Sequence, residues 1–368
     1  MSHALILVPN HPAFYPHAER HASALRKCYD RVTVYSVFAK TDVLPILDGV
    51  DYVSGASEFP QGSAGFLRWM ISAWKFIRKH RFDAVEAIDP PNLVPAAIAL
   101  LFRKTKLVYF SMEIFPETPA LAHRPLKRMV WTWLERVAVK RANQTLTVNR
   151  SVADYLQKSL SLALIGVVRS MPPQQMVERD GSLRKMCGLG EQDFLLVYQG
   201  YLEPGRGIEM LANALQERAN MHFAIMGLGP LQATIEARAN TQANIHFCGK
   251  HPFERLMLLA AGADAGVVWI EPLSTSYRLS LPGKLFEYVQ NGLPMLGSPL
   301  PEIKSHIQKY EIGEVAEDLS QRAMLIALDC LYEKIRNQAY PVALAKAKEQ
   351  LCWEREQESL LHAFGEQS

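Results

Sequence analysis

The chain has 368 residues, 49% of them apolar and 21% charged, the profile of a globular protein long enough for two hydrophobic cores. Its longest uninterrupted apolar run, Leu93 to Phe102, is too short for a bilayer-spanning helix, and the first residues carry neither a basic leader nor a small-residue cleavage site. Net charge is only +3, but residues 1–171 hold +9 and the remainder −6, so an anionic partner is expected on the first half.

In chain order, strands are expected at 4–9, 31–37, 84–88, 106–111 and 144–149. Helices fall between them around Glu19–Lys27, Phe66–Lys79 and Met129–Lys140. The Pro-rich segment 169–175 reads as a linker. The alternation then restarts, with strands at 194–200, 222–227, 244–249, 265–270 and 294–298. Strand, loop and helix in repeated alternation imply two doubly wound parallel sheets of the α/β class. The expected division is 1–170, 171–341 and an amphipathic tail, 342–368. Five scattered cysteines with no metal or redox spacing fit a reducing, cytoplasmic setting.

Ligands of such sheets bind beyond the carboxyl ends of the strands, which directs attention to two loops. The first, 198–211, leaves a strand at Gly200 and Tyr201 and turns at Pro204-Gly205. It enters a helix after Gly207 and carries Arg206 as a fork of donors for phosphate oxygens. In the second, a helix is expected to begin at Pro282, leaving the amides of Gly283 and Lys284 outside the helical ladder. Lys284 adds a charge, and Glu287, one turn in, is suited to sugar hydroxyls or, more plainly, to the helix dipole. Two such helix mouths suggest a nucleotide diphosphate. No acidic cluster suits Mg²⁺, so no metal is expected, and the dispersed basic residues form no nucleic-acid module.

These loops, with the segments 82–117, 134–156, 225–230, 280–303 and the Trp353–Glu356 run, resemble the retaining glycosyltransferases of family 4. That family is built on the GT-B architecture, in which two Rossmann-like domains face a cleft and a closing helix crosses back to the first. The resemblance implies a sugar transferred with retention, without metal, from a nucleotide-diphosphate sugar to a hydroxyl of a glycan or lipid-linked acceptor. It places Arg206 at the diphosphate, with Leu281, Pro282, Gly283 and Lys284 facing the phosphates. Glu287 falls at the ribose, and the loop of His251 at the nucleobase.

Several positions depart from the family pattern. Tyr201 stands where the family has an arginine, Leu279 replaces the first of its paired glutamates, and Phe110 and Met112 replace an aspartate and a histidine. Glu271 is a candidate for the missing carboxylate and Glu113 for an acceptor-side base, with His11, His17 and Asp89 as further acceptor-side candidates. A nucleotide-sugar epimerase and a non-catalytic binding subunit remain as alternatives.

The segments 66–82 and 124–141 are basic and aromatic. In the first, Phe66, Met70, Ala73 and Ile77 form the face expected to pack on the sheet, with Arg68, Lys75 and Lys79 opposite. Peripheral contact with an anionic membrane is consistent with that basic face.

Overall fold

The computed structural model describes residues 1–12, 15–175 and 179–365; Ala13 and Phe14 of the opening loop and the last three residues of the tail lie outside these. The chain forms two compact units. One comprises Met1–Arg169, Ser274–Ser276 and the segment from Glu356; the other comprises Ser170–Leu273 and Tyr277–Arg355.

The first unit contains seven parallel strands: β1 (His3–Leu7), β2 (Arg31–Val37), β3 (Val50–Ala56), β4 (Ala84–Ile88), β5 (Lys106–Ser111), β6 (Gln144–Thr147) and β7 (Gly166–Val167). Their order is β3-β2-β1-β4-β5-β6-β7, so the direction of winding reverses between β1 and β4. Helices α1 (Pro16–Leu25), α2 (Gly62–Lys79), α3 (Pro90–Ala99), α4 (Pro119–Ala122), α5 (Pro125–Ala138) and α6 (Arg150–Leu160) accompany the sheet. The central strands are nearly continuous apolar runs, as a sheet covered on both faces requires. β3, unmarked by the sequence, has no fully buried residue, only half-buried and exposed ones, because it is an edge strand.

The second unit orders its six strands β10-β9-β8-β11-β12-β13, again all parallel. They are β8 (Phe194–Tyr201), β9 (Met221–Leu228), β10 (Ile245–Phe247), β11 (Ala265–Val268), β12 (Met295–Gly297) and β13 (Gly313–Val315). Its helices run α7 (Ser182–Met186), α8 (Ile208–Ala214), α9 (Gln232–Ala239), α10 (Phe253–Ala260), α11 (Thr275–Arg278, whose first two residues count with the first unit), α12 (Gly283–Gln290), α13 (Pro301–Tyr310), α14 (Gln321–Arg336) and α15 (Pro341–Gln350). The winding reverses between β8 and β11, so the crevice expected to hold a ligand opens beside the loops after those two strands.

The tail is two helices rather than one. α15 packs on α12 and α13 within the second unit, and α16 (Trp353–Phe364) follows it. The segment from Glu356 belongs to the first unit, where the Glu356 carboxylate accepts from Arg169 Nε at Oε1 (3.1 Å) and from Nη2 at Oε2 (2.7 Å), and Oε1 also accepts from the Arg169 amide (2.7 Å). That pairing ties the end of the first unit's main segment to the returning tail.

Candidate functional site

In the second unit the loop after β8 is shaped by three glycines at positive φ: Gly200 (+129°), Gly205 (+80°) and Gly207 (+71°). At Gly207 a Cβ would meet the Trp269 indole at 2.5 Å, so the loop can lie against that ring only with glycine there. Glu271 donates its amide to Gly205 O (2.8 Å), joining the segment after β11 to this turn. α8 follows at once, with Gly207 as its N-cap, but is only seven residues long.

The Arg206 guanidinium is held by two residues that the sequence reading did not single out. Its Nε donates to Glu203 Oε1 (3.0 Å) and its Nη2 to the Tyr277 hydroxyl (3.0 Å), while the guanidinium lies over the Tyr277 ring at 4.4 Å. The Tyr277 hydroxyl in turn donates to Glu203 Oε1 (2.6 Å). The arginine is thus fixed in direction, a condition for recognising a diphosphate at low entropic cost.

α12 begins at Gly283, one residue later than the sequence suggested, because Pro282 keeps an extended ψ of 138° and serves as N-cap. Leu285 N–H donates to Pro282 O (3.1 Å), and the amides of Gly283 and Lys284 lie before it at the helix mouth. Leu281 is buried under this mouth. The Lys284 ammonium does not extend into solvent: it sits 3.5 Å above the Tyr198 ring, beside Gly200. Burial, and then the Arg206 charge, push its pKa well down, while Glu287 and Glu203 pull the other way. Glu287 accepts a hydrogen bond from the buried Gln199 amide. Gly200, Arg206, Lys284 and Glu287, drawn from two loops 80 residues apart, therefore share one neighbourhood. His251 is placed on the adjoining loop, its Nε2 bonded to Cys248 O at 2.8 Å. Leu279 and the half-exposed Tyr201 put no charge into the neighbourhood; Tyr201 contributes its carbonyl, which accepts from the Tyr198 hydroxyl (2.9 Å).

In the first unit, Asp89 caps α3 with φ 61° and ψ 163°, a conformation costly for a residue with a side chain. Its Oδ1 accepts from Met112 N–H (2.9 Å), and its own amide donates to Phe110 O (2.9 Å). Burial and the Glu113 charge drive the Asp89 carboxyl well up, and burial with Asp89, Glu113 and Glu86 does the same to the Tyr15 phenol. Tyr15, Asp89 and Glu113 thus gather at the β1/β4 reversal.

The histidines are placed differently from the expectation of an open loop. His17 lies inside α1, buried, its ring 3.9 Å from that of His21 and 4.7 Å from Phe110. Burial lowers its pKa well below the usual range. His21 bonds Glu86 Oε1 at 2.6 Å, both side chains fully buried, a pair invisible in the sequence. Phe110, in place of a family aspartate, fills the space against both imidazoles. His11 engages Asp42 (3.1 Å). Cys187 and Cys248, 61 residues apart in the chain, bring their sulfurs to 3.7 Å. Among the described residues, no three His, Cys, Asp or Glu side chains gather as a metal-binding group.

Residues 16–168 match the family described as Glycosyltransferase Family 4, and residues 193–334 match Glycosyl transferases group 1. No curated protein matches the chain. Solved structures share the fold at low identity. Sucrose-phosphate synthase from Thermosynechococcus elongatus aligns at TM-score 0.81 and 11% identity, over 99% of this chain and 98% of its own. HepE of Anabaena, in complex with UDP-glucose, aligns at 0.70 and 16%, over 99% of both chains. WaaG, a glycosyltransferase involved in lipopolysaccharide biosynthesis, aligns at 0.64 and 16%, over 99% of this chain and 95% of its own. The two family matches meet the two doubly wound sheets unit for unit, and the chain belongs to the GT-B glycosyltransferases of the family 4 type.

Proposed function

We propose that the protein transfers a sugar from a nucleotide-diphosphate sugar to a hydroxyl of a glycan or lipid-linked acceptor, with retention. One observation carries the reading: Arg206, clamped by Glu203 and Tyr277, and Lys284, held over Tyr198, stand with the Gly283 and Lys284 amides at the β8/β11 reversal. Such a group offers fixed positive charge where a diphosphate leaves. The Anabaena relative, solved with UDP-glucose, supports a donor of this class.

In this mechanism the bond from C1 of the sugar to the β-phosphate oxygen breaks, and the nucleoside diphosphate departs with the electron pair. The acceptor oxygen bonds C1 from the same face and passes its proton to the phosphate oxygen that departs. Donors already oriented in the protein stabilise the departing charge more in the transition state than in the bound substrate. The two cations and the helix-mouth amides neutralise the diphosphate, a role that needs no metal in this reading. Glu287, fixed by Gln199, takes the ribose hydroxyls, and the His251 loop takes the base. Asp89 and Glu113 serve the acceptor hydroxyl. Thermal shift with uridine, guanosine and adenosine diphosphate sugars identifies the base, and turnover of the stabilising donor follows. Turnover unchanged by Arg206→Ala combined with Glu287→Ala defeats this assignment.

A further inference from the structure

α5 carries apolar residues on two sides: Ala138 is buried and Trp131 and Leu134 are half-buried around Glu135, and a second apolar stripe faces out. Glu135 is 1% exposed and accepts from the Tyr109 hydroxyl (2.6 Å), while Leu126, Met129, Val130, Trp133 and Val137 are all exposed. At 100° per residue those five fall within a single stripe opposite Glu135. Lys127 borders the stripe on one side and Arg136 on the other. A helix that needed only to cover the sheet would put such residues beneath it, not outside.

The stripe continues onto the neighbouring helix. α3 packs against α5, and the turn after it holds Leu101 exposed and Phe102 95% exposed. This turn is fixed rather than loose. Arg141 donates to Leu100 O (3.2 Å) and Arg103 O (2.8 Å), and the Arg103 guanidinium donates to Ile77 O, Arg78 O and His80 O at 2.7 to 2.8 Å. A phenylalanine is thereby presented on a rigid mount. α2, packed on the other side of α3, adds Leu67, Ile71 and Trp74 outward; it buries Ala73 and Ile77 as expected, but Gly65 and Trp69 in place of Phe66 and Met70.

The charge carried by the segments that build this face is almost all of one sign. Segments 62–82, 90–106 and 118–141 hold numerous Lys and Arg but a single acid, the buried Glu135. We propose that the outer face of α5 and the Leu101-Phe102 turn lie in the interface of an anionic lipid bilayer. Apolar side chains would enter the acyl boundary while Lys127 and Lys140 reach the headgroups and Arg136, bonded to Ser159 O, borders them. A second copy on the same face would set these cations against themselves, because the acids that border the face are already engaged, Glu117 with Arg128 and Asp154 with Arg150. A nucleic acid would leave the apolar stripe without a partner. The proposal does not rest on the donor-site reading.

The test is sedimentation of the full-length protein with vesicles of phosphatidylcholine alone or with phosphatidylglycerol added. Expected is binding to the anionic vesicles and little to the neutral ones. Lys127→Glu with Lys140→Glu, and separately Phe102→Ser with Trp133→Ser, should each lower the bound fraction at least roughly ten-fold. All four side chains are exposed, so melting temperatures should hold. No binding to anionic vesicles, or binding unchanged by either pair, overturns the proposal. So does a dimer, seen by light scattering, that Trp133→Ser disperses without any vesicle binding, which would assign the face to a second copy.

Discussion

Replacing Glu135 by glutamine isolates the cost of α5's buried carboxyl. Burial raises this group from 4.5 to about 7, against the opposing bond from Tyr109. A folded-state value above the unfolded one means that the folded chain binds the proton more tightly. The stabilisation is then complete below pH 4.5 and is lost as pH rises through about 7. At 1.36 kcal/mol for each tenfold step in proton affinity, the loss is roughly 3 kcal/mol above pH 8. Glutamine keeps an oxygen to accept from Tyr109 and carries no charge at any of these pH values. The expected result of Glu135→Gln is therefore a variant close to wild type at pH 4.5 and more stable by roughly 3 kcal/mol at pH 8.5. Urea unfolding followed by tryptophan fluorescence measures this, since Trp69, Trp74, Trp131 and Trp133 all lie in the first unit. Asp89 feels the Glu135 charge, which raises its carboxyl further, so removing that charge adds to the gain at high pH rather than opposing it. A stability difference that stays constant between pH 4.5 and 8.5 would refute the reasoning.

Lys284→Met should lower kcat/KM roughly a hundred-fold or more by removing one preorganised cation, yet leave the melting temperature no lower, because a buried charge goes with it. Steady-state kinetics and calorimetry on the same preparation check both halves. Glu203→Gln removes the charge that orients Arg206 and should raise donor KM more than it lowers kcat, measured by varying the donor at saturating acceptor. Gly207→Ala combines a φ of +71° with a collision against Trp269 and should cost on the order of 1 to 3 kcal/mol in urea unfolding.

Much of the donor-side site could be read from the chain because its parts are local. Pro204 to Gly207 announces a turn into a helix, and Pro282-Gly283-Lys284 announces a helix mouth, whatever surrounds them. The partners that make these parts specific lie far off in sequence. Tyr277 meets Glu203 across 74 residues, and Gln199 meets Glu287 across 88. No periodicity marks such a pair. His17 was legible as a residue near the first loop, but its burial against Phe110 follows from how α1 lies on β1 and β2 with this side chain reaching toward β5, which a loop reading does not foresee.

The same division runs through the fold. Apolar runs broken by glycine and proline were enough to specify two parallel α/β sheets, because a strand buried on both faces must be apolar along its length. The edge strands β3, β7 and β13 escaped notice, since half-covered strands lack that signature and two or three residues carry little pattern. Strand order, and with it the meeting of the two loops at the β8/β11 reversal, was decided by tertiary packing. So was the direction in which α5 faces: an isolated amphipathic helix presents two candidate sides to a sheet, and the Tyr109 hydroxyl, waiting beneath for a carboxyl, selects the side that carries Glu135.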